Sequence, residues 1–250
     1  MITDYRVFIA VRMKSTRLKR KALLNLGGRP VIGVLIDRLS EKIQRENIII
    51  CTSDLESDNE LEKLSKSYGI NCFRGDPDDV MKRFINAEKI FPARNIVRVT
   101  GDNPLTDPNL LLKMLYYHDC NENDYTWTNS FPIGTRPEVI RTKTINTVHQ
   151  NLIAPENSEY MSYMLNRPDK LKVGCYEAED KELTFPSASV TLDTPEDYEN
   201  LKHLFKSTNN DIPNMNEILQ WCDTNSIQKN CVQIASVSVD NKLYGFKDDF

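Results

Sequence analysis

The stretch Arg6 to Leu26, RVFIAVRMKSTRLKRKALLNL, constrains the fold more than any other part of the chain. Its apolar run, Val7 to Val11, shows no alternation, which is how a strand buried on both faces of a parallel sheet reads. The chain then turns cationic within one loop: Arg12, Lys14, Arg17, Lys19, Arg20 and Lys21, with Ser15 and Thr16 between them. A buried strand emptying into such a loop sets positive charge and hydroxyl donors at the carboxyl edge of a sheet. Open α/β sheets bind ligands at that edge. Charge of one sign this dense repels itself unless an anion sits there, and a polyphosphate suits it. A solvated basic loop is the competing reading of the same residues.

The rhythm that follows supports the sheet. Gly27-Gly28 marks a turn, and Pro30 opens a helix with Ile32, Leu35, Ile36 and Leu39 on one face. Strands are predicted at Asn47 to Cys51, Ile70 to Arg74 and Asn95 to Thr100, with helices at Asp58 to Lys66 and Asp79 to Ile90 between them. Strand and helix alternating in this way predict an α/β fold, a mostly parallel sheet sandwiched by helices with right-handed crossovers. The second half is less regular. Helices are expected at Leu110 to His118, Thr142 to Leu152, Glu156 to Leu165, Glu196 to Lys206 and Met215 to Cys222. Strands are expected at Asp124 to Ser130, Glu138 to Ile140, Lys172 to Glu177, Val190 to Leu192 and Val232 to Val239, and the closing GFKDDF reads as frayed or surface. No linker is evident, so residues 1–250 are expected to form a single domain, with an inserted or appended portion around residues 124–185.

Composition narrows the function classes. With 40% hydrophobic and 27% charged residues the chain has material for a core, and a net charge of −4 argues against a general nucleic-acid binder. The six cysteines are scattered without CxxC spacing, so they read as reduced thiols of a cytoplasmic protein rather than metal or disulfide sites. No apolar signal segment and no run of membrane-spanning length is present, so no membrane partner is expected.

Two acidic turns carry the chemistry. Asp102 follows one buried strand, in VTGDNP, and Asp193 follows another, in TLDTP. Two hard carboxylates converging opposite a phosphate-binding loop are what a Mg²⁺–nucleotide complex needs. Singly, each has a simpler role: Asp102 could hold a turn, and Asp193 could cap the helix that begins near Pro195. His118, His149 and His203 lack a nucleophile signature and are expected on helix surfaces. The basic loop lacks the GxxxxGK[ST] spacing and has no glycine, so side-chain cations must bind phosphate here.

At this point the residues resemble a family. VRMKSTRLKRKALLNLGGRPVIGVLIDRL is similar to the N-terminal signature of the cytidylyltransferases that make CMP-activated sugars, which include the acylneuraminate and 3-deoxy-manno-octulosonate cytidylyltransferases. The likeness is strongest to the spore-coat polysaccharide type, whose pattern is roughly ARMxSTRLPxKxLxxLxGxP. It continues through FRGDPDDVMKRF, RVTGDNPLTDP and TLDTPEDYENLKHLF, covering most of residues 6–206. The resemblance implies a nucleotide-diphospho-sugar-transferase-like, Rossmann-like fold, usually dimeric. It implies phosphate binding by Arg12 and Lys21, base-region contact by Arg74, and Mg²⁺ binding by Asp102 and Asp193. The expected nucleotide site is Ala10, Val11, Arg12, Ser15, Thr16, Arg17, Lys21, Ser53, Arg74, Gly101 and Asp102, with Lys21, Arg12 and Asp102 serving catalysis.

The chain also departs from the pattern. Val11 replaces a small residue and Lys19 a proline. Gly134-Thr135-Arg136-Pro137-Glu138 stands where relatives carry GxDxE, and Glu159-Tyr160-Met161-Ser162 where they carry Glu-His-x-Thr. These last two segments fall in the expected acceptor pocket and dimer face, so Arg136, Glu138, Glu159 and Tyr160 are the candidate acceptor residues. Arg136 in place of an acid suggests a more anionic acceptor, unless it is a surface residue. The function expected is transfer of CMP from CTP to an acidic sugar-like acceptor by a cytoplasmic homodimer. A nucleotidyltransferase for another base, a glycosyltransferase on a similar fold, and a non-catalytic nucleotide-binding relative remain open as alternatives.

Overall fold

Unbroken apolar runs build the middle of one sheet, and amphipathic segments cover it. The computed structural model describes residues 4–15, 17–178, 188–208, 210–225 and 245–247, leaving aside the side chains of residues 157 and 159. In chain order the elements are β1 (Tyr5–Ala10), β2 (Asn25–Leu26), β3 (Arg29–Pro30), α1 (Val31–Ser40), β4 (Ile48–Ser53), α2 (Asn59–Ser67), β5 (Asn71–Gly75), α3 (Val80–Glu88) and β6 (Asn95–Thr100). There follow α4 (Pro108–Cys120), β7 (Tyr125–Trp127), β8 (Glu138–Arg141), α5 (Thr142–Asn151), α6 (Met161–Leu165), β9 (Val173–Cys175), α7 (Pro195–Ser207) and α8 (Met215–Thr224). Seven strands form the main sheet in the order β5-β4-β1-β6-β8-β7-β9. The first four are parallel; β8 runs antiparallel to both β6 and β7, and β9 is parallel to β7. The small β2–β3 hairpin turns at Gly27 and Gly28, whose φ of 59° and 83° need the freedom of glycine.

Alternation along the strands sorts the core. Val7 and Ile9 of β1 pack with Ile32, Leu35 and Leu39 of α1, Leu61 of α2 and Leu111 of α4. Phe8 points the other way, to Phe84 of α3, Val148 of α5 and Met164 of α6. Each such fully buried side chain stabilises the fold by about 1.5–3 kcal/mol. A third cluster, Leu201 and Leu204 of α7 with Ile218 and Trp221 of α8, packs with Val31 and Val34 of α1, Val190 and Leu192. No helix among the described residues is long and apolar enough to cross a membrane.

Several expectations need correction. The 156–165 helix divides into a 3-10 turn, Pro155–Tyr160, and α6. Val190 to Leu192 is no ladder strand. It is extended chain beside an isolated bridge, Ile133 to Ser189, with Leu192 N donating to Asp102 O at 2.8 Å. His118 is not on a surface: it is fully buried, with Nδ1 2.9 Å from Thr126 Oγ1. Residues 245–247 are docked rather than frayed, because Phe246 bridges Leu152 and lies under the Arg167 guanidinium. The strand expected at Val232 to Val239 falls outside the described residues. Within 124–185, the described strands β7, β8 and β9 extend the main sheet itself.

Candidate active site

The carboxyl ends of β1 and β6, neighbours at the sheet centre, deliver the groups that the sequence singled out. After β1 the basic loop is pinned at its start by Asp58. This buried carboxylate accepts from Met13 N at 2.8 Å, Thr52 Oγ1 at 2.8 Å and Ser53 Oγ at 2.5 Å. Burial alone would raise the Asp58 pKa, but these bonds outweigh it and the pKa lies below the ordinary value. At the far end of the loop Arg20 adopts a left-handed φ of 54°, and the 3-10 turn Lys21–Leu23 follows at once. Ala22 anchors that turn in the core beside α1, which fixes where Lys21 starts.

Asp102 follows β6 through a tight turn in which Gly101 N donates to Ala10 O at 2.9 Å and Asn103 Nδ2 to Thr100 Oγ1 at 2.8 Å. A side chain at residue 101 has no room, since a Cβ there would lie 2.6 Å from Val11 Cβ. Asp193 precedes α7 but does not cap it. Thr194 is the N-cap, and with Asp197 it forms a reciprocal capping box. Asp193 uses only its backbone N–H there, donating to Asp197 Oδ2 at 3.0 Å, so its carboxylate is left to reach across the cleft. The bonds from Leu192 N to Asp102 O and from Thr191 Oγ1 to Asn103 Oδ1, 2.7 Å, tie the two acid-bearing segments together.

The result is one cluster. Lys21 Nζ lies 2.8 Å from Asp102 Oδ2 and 3.0 Å from Asp193 Oδ1, and Arg17 Nη2 is 3.2 Å from the same Asp193 oxygen. Burial works against the Lys21 ammonium, but the two carboxylates outweigh it and its pKa is raised. Burial likewise works against the Asp102 carboxylate, and Lys21 outweighs it, holding that pKa below the ordinary value. Lys21 and Asp102 are therefore both charged near neutral pH. Two carboxylates that meet at one cation have the donor chemistry of a Mg²⁺ site completed by substrate phosphates. Among the described residues no cluster of three or more acidic, His or Cys side chains forms a closed metal site, so the remaining ligands would have to come from substrate and water.

Around the cluster opens a cavity of about 690 Å³. Of the residues singled out in the sequence, Ala10, Val11, Arg12, Ser15, Arg17, Lys21, Gly101, Asp102, Tyr160 and Asp193 line it. Arg12 also binds the Pro77 carbonyl and Asp78 Oδ1, which joins the basic loop to the turn before α3. Thr16 and the Glu159 side chain lie outside what is described. Four candidates are elsewhere. Ser53 is held by Asp58 and faces a smaller adjoining pocket. Arg74 turns to α2, bonding Glu62 Oε2 at 3.0 Å, Asn59 Oδ1 at 2.6 Å and the Ser53 carbonyl at 3.1 Å. Arg136 binds the Phe131 carbonyl, and Glu138 pairs with Arg98 at 2.7 Å behind the cavity wall. Two arginines of the lining went unnoticed in the sequence, Arg83 and Arg98. The signal for Arg98 was a charge inside the apolar run NIVRVT; the signal for Arg83 was none beyond its place in an amphipathic helix.

Known proteins fit this geometry. A family model described as cytidylyltransferase matches residues 7–232. The chain is 34% identical to an uncharacterized protein of Methanocaldococcus jannaschii over 226 residues, covering 89% of this chain and 91% of that one. It is 32% identical to the spore coat polysaccharide biosynthesis protein SpsF of Bacillus subtilis, covering 82% and 88%. Among solved structures, a cytidylyltransferase from Leptospira borgpetersenii superimposes with a TM-score of 0.82 at 26% identity, covering 91% of this chain and 97% of that one. A chain that matches the family model over residues 7–232 belongs to the cytidylyltransferase family.

Proposed function

We propose that the protein transfers CMP from CTP to a hydroxyl of an acidic sugar or related acceptor and releases pyrophosphate. The observation that carries this reading is the convergence of Lys21, Asp102 and Asp193 at the mouth of a cavity rimmed by the cations of the basic loop. The acceptor oxygen attacks the α-phosphorus in line. Its new bond to phosphorus forms as the bond from the α-phosphorus to the bridging oxygen breaks, the electron pair leaves with pyrophosphate, and the hydroxyl proton passes to solvent. Lys21, Arg12 and Arg17 hold the triphosphate and offset the charge that gathers on the leaving group; catalysis here is positioning and charge stabilisation. Asp102 and Asp193 would hold Mg²⁺, which when bound supplies Lewis-acid stabilisation of phosphate oxygens.

The reading includes a cytoplasmic homodimer that uses neither nucleic acid nor membrane. Light-scattering mass is the check on the dimer. The activity is tested by pyrophosphate release with CTP, Mg²⁺ and a panel of acidic sugars, repeated with ATP, GTP and UTP. Release that needs both CTP and an acidic acceptor is expected; no release with any pair of substrates would remove the reading in favour of a non-catalytic nucleotide binder.

A further inference from the structure

Two arginines line the cavity without being used by the phosphate cluster. Arg83, on α3, is only 1% exposed. Its one hydrogen bond among the described residues runs from Nη1 to the Asp76 carbonyl at 2.9 Å, and its Nε has no partner. Burial, with Arg12 nearby, pulls its pKa below the ordinary value even though Asp58 and Asp76 act on it from a distance, and no carboxylate among the described residues makes a direct ion pair with it. Arg98 sits two residues past Ile96 on β6, so it shares the sheet face that packs on α3, α5 and α6. Only its Nη1 is engaged, by Glu138 Oε2 at 2.7 Å and Ser162 Oγ at 3.3 Å. Ser162 Oγ donates to the other Glu138 oxygen at 2.6 Å, so the guanidinium is locked by one corner. Nη2 makes no hydrogen bond among the described residues and is the nitrogen left to meet a ligand; Nε, also without a partner, is closed off from solvent.

Lys21 and Ala22 enter the cavity from the α1 side of the sheet, whereas Val80, Arg83 and Arg98 enter from the α3 side. We infer that Arg83 and Arg98 form a receiving site for an anionic group of the acceptor, a carboxylate or phosphate, on the α3 side of the cavity. The inference rests on the transferase reading above and moves acceptor recognition from Arg136, which is tied to the Phe131 carbonyl, to Arg98. Glu138 and Ser162 are positioning residues in this arrangement, since they orient Arg98 and do not face the ligand.

The same two arginines could instead serve the nucleotide's own phosphates, and the experiment separates the two sources. Thermal unfolding is followed with Mg²⁺ and an α,β-methylene analogue of CTP filling the nucleotide end, with inorganic phosphate as the probe. In the wild type, phosphate is expected to raise the midpoint further even with the analogue bound. Arg83→Gln, Arg98→Gln and the charge-retaining Arg98→Lys should weaken that phosphate response about 10- to 100-fold in apparent affinity while keeping the stabilisation by the analogue, which also reports that each variant folds. In turnover, KM for the acidic acceptor should rise by a similar factor with KM for CTP little changed. A phosphate response that vanishes once the analogue is bound, or one that survives in all three variants, overturns the inference. An analogue that fails to stabilise the wild type counts against the transferase reading alone, because the arginine dependence of the phosphate response still decides the subsite.

Discussion

Lys21 Nζ stands 2.8 Å from Asp102 Oδ2 across a sequence separation of 81 residues. Lys21 is set by the 3-10 turn that closes the loop after β1, and Asp102 by the turn after β6. The chemistry therefore depends on the sheet holding β1 beside β6. Lys21→Met is expected to lower kcat by about 10²–10³-fold, the scale of removing one preorganised charge from a transition state. Because the three side chains are partly exposed, the effect on stability should stay near 1 kcal/mol. Steady-state kinetics beside a melting curve checks both. An equal loss in folding and activity would mean that the cluster is a structural ion pair.

Thr194 controls Asp193 indirectly. Thr194→Ala removes half of the capping box, at a cost of about 1 kcal/mol, and loosens the start of α7, where Asp193 is aimed. Thr194→Ser should restore both stability and kcat. Urea unfolding with parallel assays of the two variants is the measurement, and a fall in activity that serine fails to rescue would separate Thr194 from the site.

His118 should make the fold acid-sensitive. Burial, with Arg141 nearby, lowers its pKa from 6.5 to about 4. A depressed folded pKa contributes stability that is fully present above pH 6.5 and is lost as pH falls toward 4. The size is on the order of 3 kcal/mol. Asp102, also depressed, adds to the loss only below its ordinary value of 3.8. Unfolding free energy measured from pH 7.5 to 4.5 should fall more steeply in the wild type than in His118→Gln; identical slopes would exclude His118 as the cause.

Gly101 separates the two strand ends. Gly101→Ala places a Cβ 2.6 Å from Val11 Cβ and Cγ2, so the carboxyl ends of β1 and β6 must part. A loss of about 1–3 kcal/mol is expected, together with weaker CTP binding, because Asp102 moves with the turn. Calorimetric titration of CTP into the variant tests it.

Much of this was legible in the residues. β1 is buried on both faces, so its apolar run is unbroken, β6 is interrupted only by Arg98, and the groups just beyond both strands had to sit at the ligand-binding edge. Lys21 and Asp102 were readable for that reason, whereas Asp193 was read from a strand that is only extended chain beside an isolated bridge, held to the β6 turn by Leu192 N donating to Asp102 O. The ambiguity at Asp193 was a matter of one residue: D-T-P-E-D offers two caps, and only the backbone shows that Thr194 takes the role. Arg74 was harder, since a residue at a strand's end does not disclose which face it takes, and Glu62 of α2 draws it away from the cavity. Arg98 was hidden for the opposite reason. A charge in a buried strand reads as a lapse in the pattern until Glu138, from a strand 40 residues later, accounts for one corner of it. His118 reads as an ordinary helix residue because the exposed stripe of α4, Asn109, Lys113, Tyr116 and Cys120, mixes polar and apolar side chains and so marks the outside poorly.

The central claim is that Asp102 and Asp193 grip a metal-bound triphosphate beside Lys21. Calorimetric titration of CTP with and without Mg²⁺, into wild type and Asp193→Asn, addresses it most directly. Tight binding that needs Mg²⁺ in the wild type, and that weakens in Asp193→Asn to the metal-free level, is the expected result. Equal affinity in both proteins, with Mg²⁺ making no difference, would contradict it.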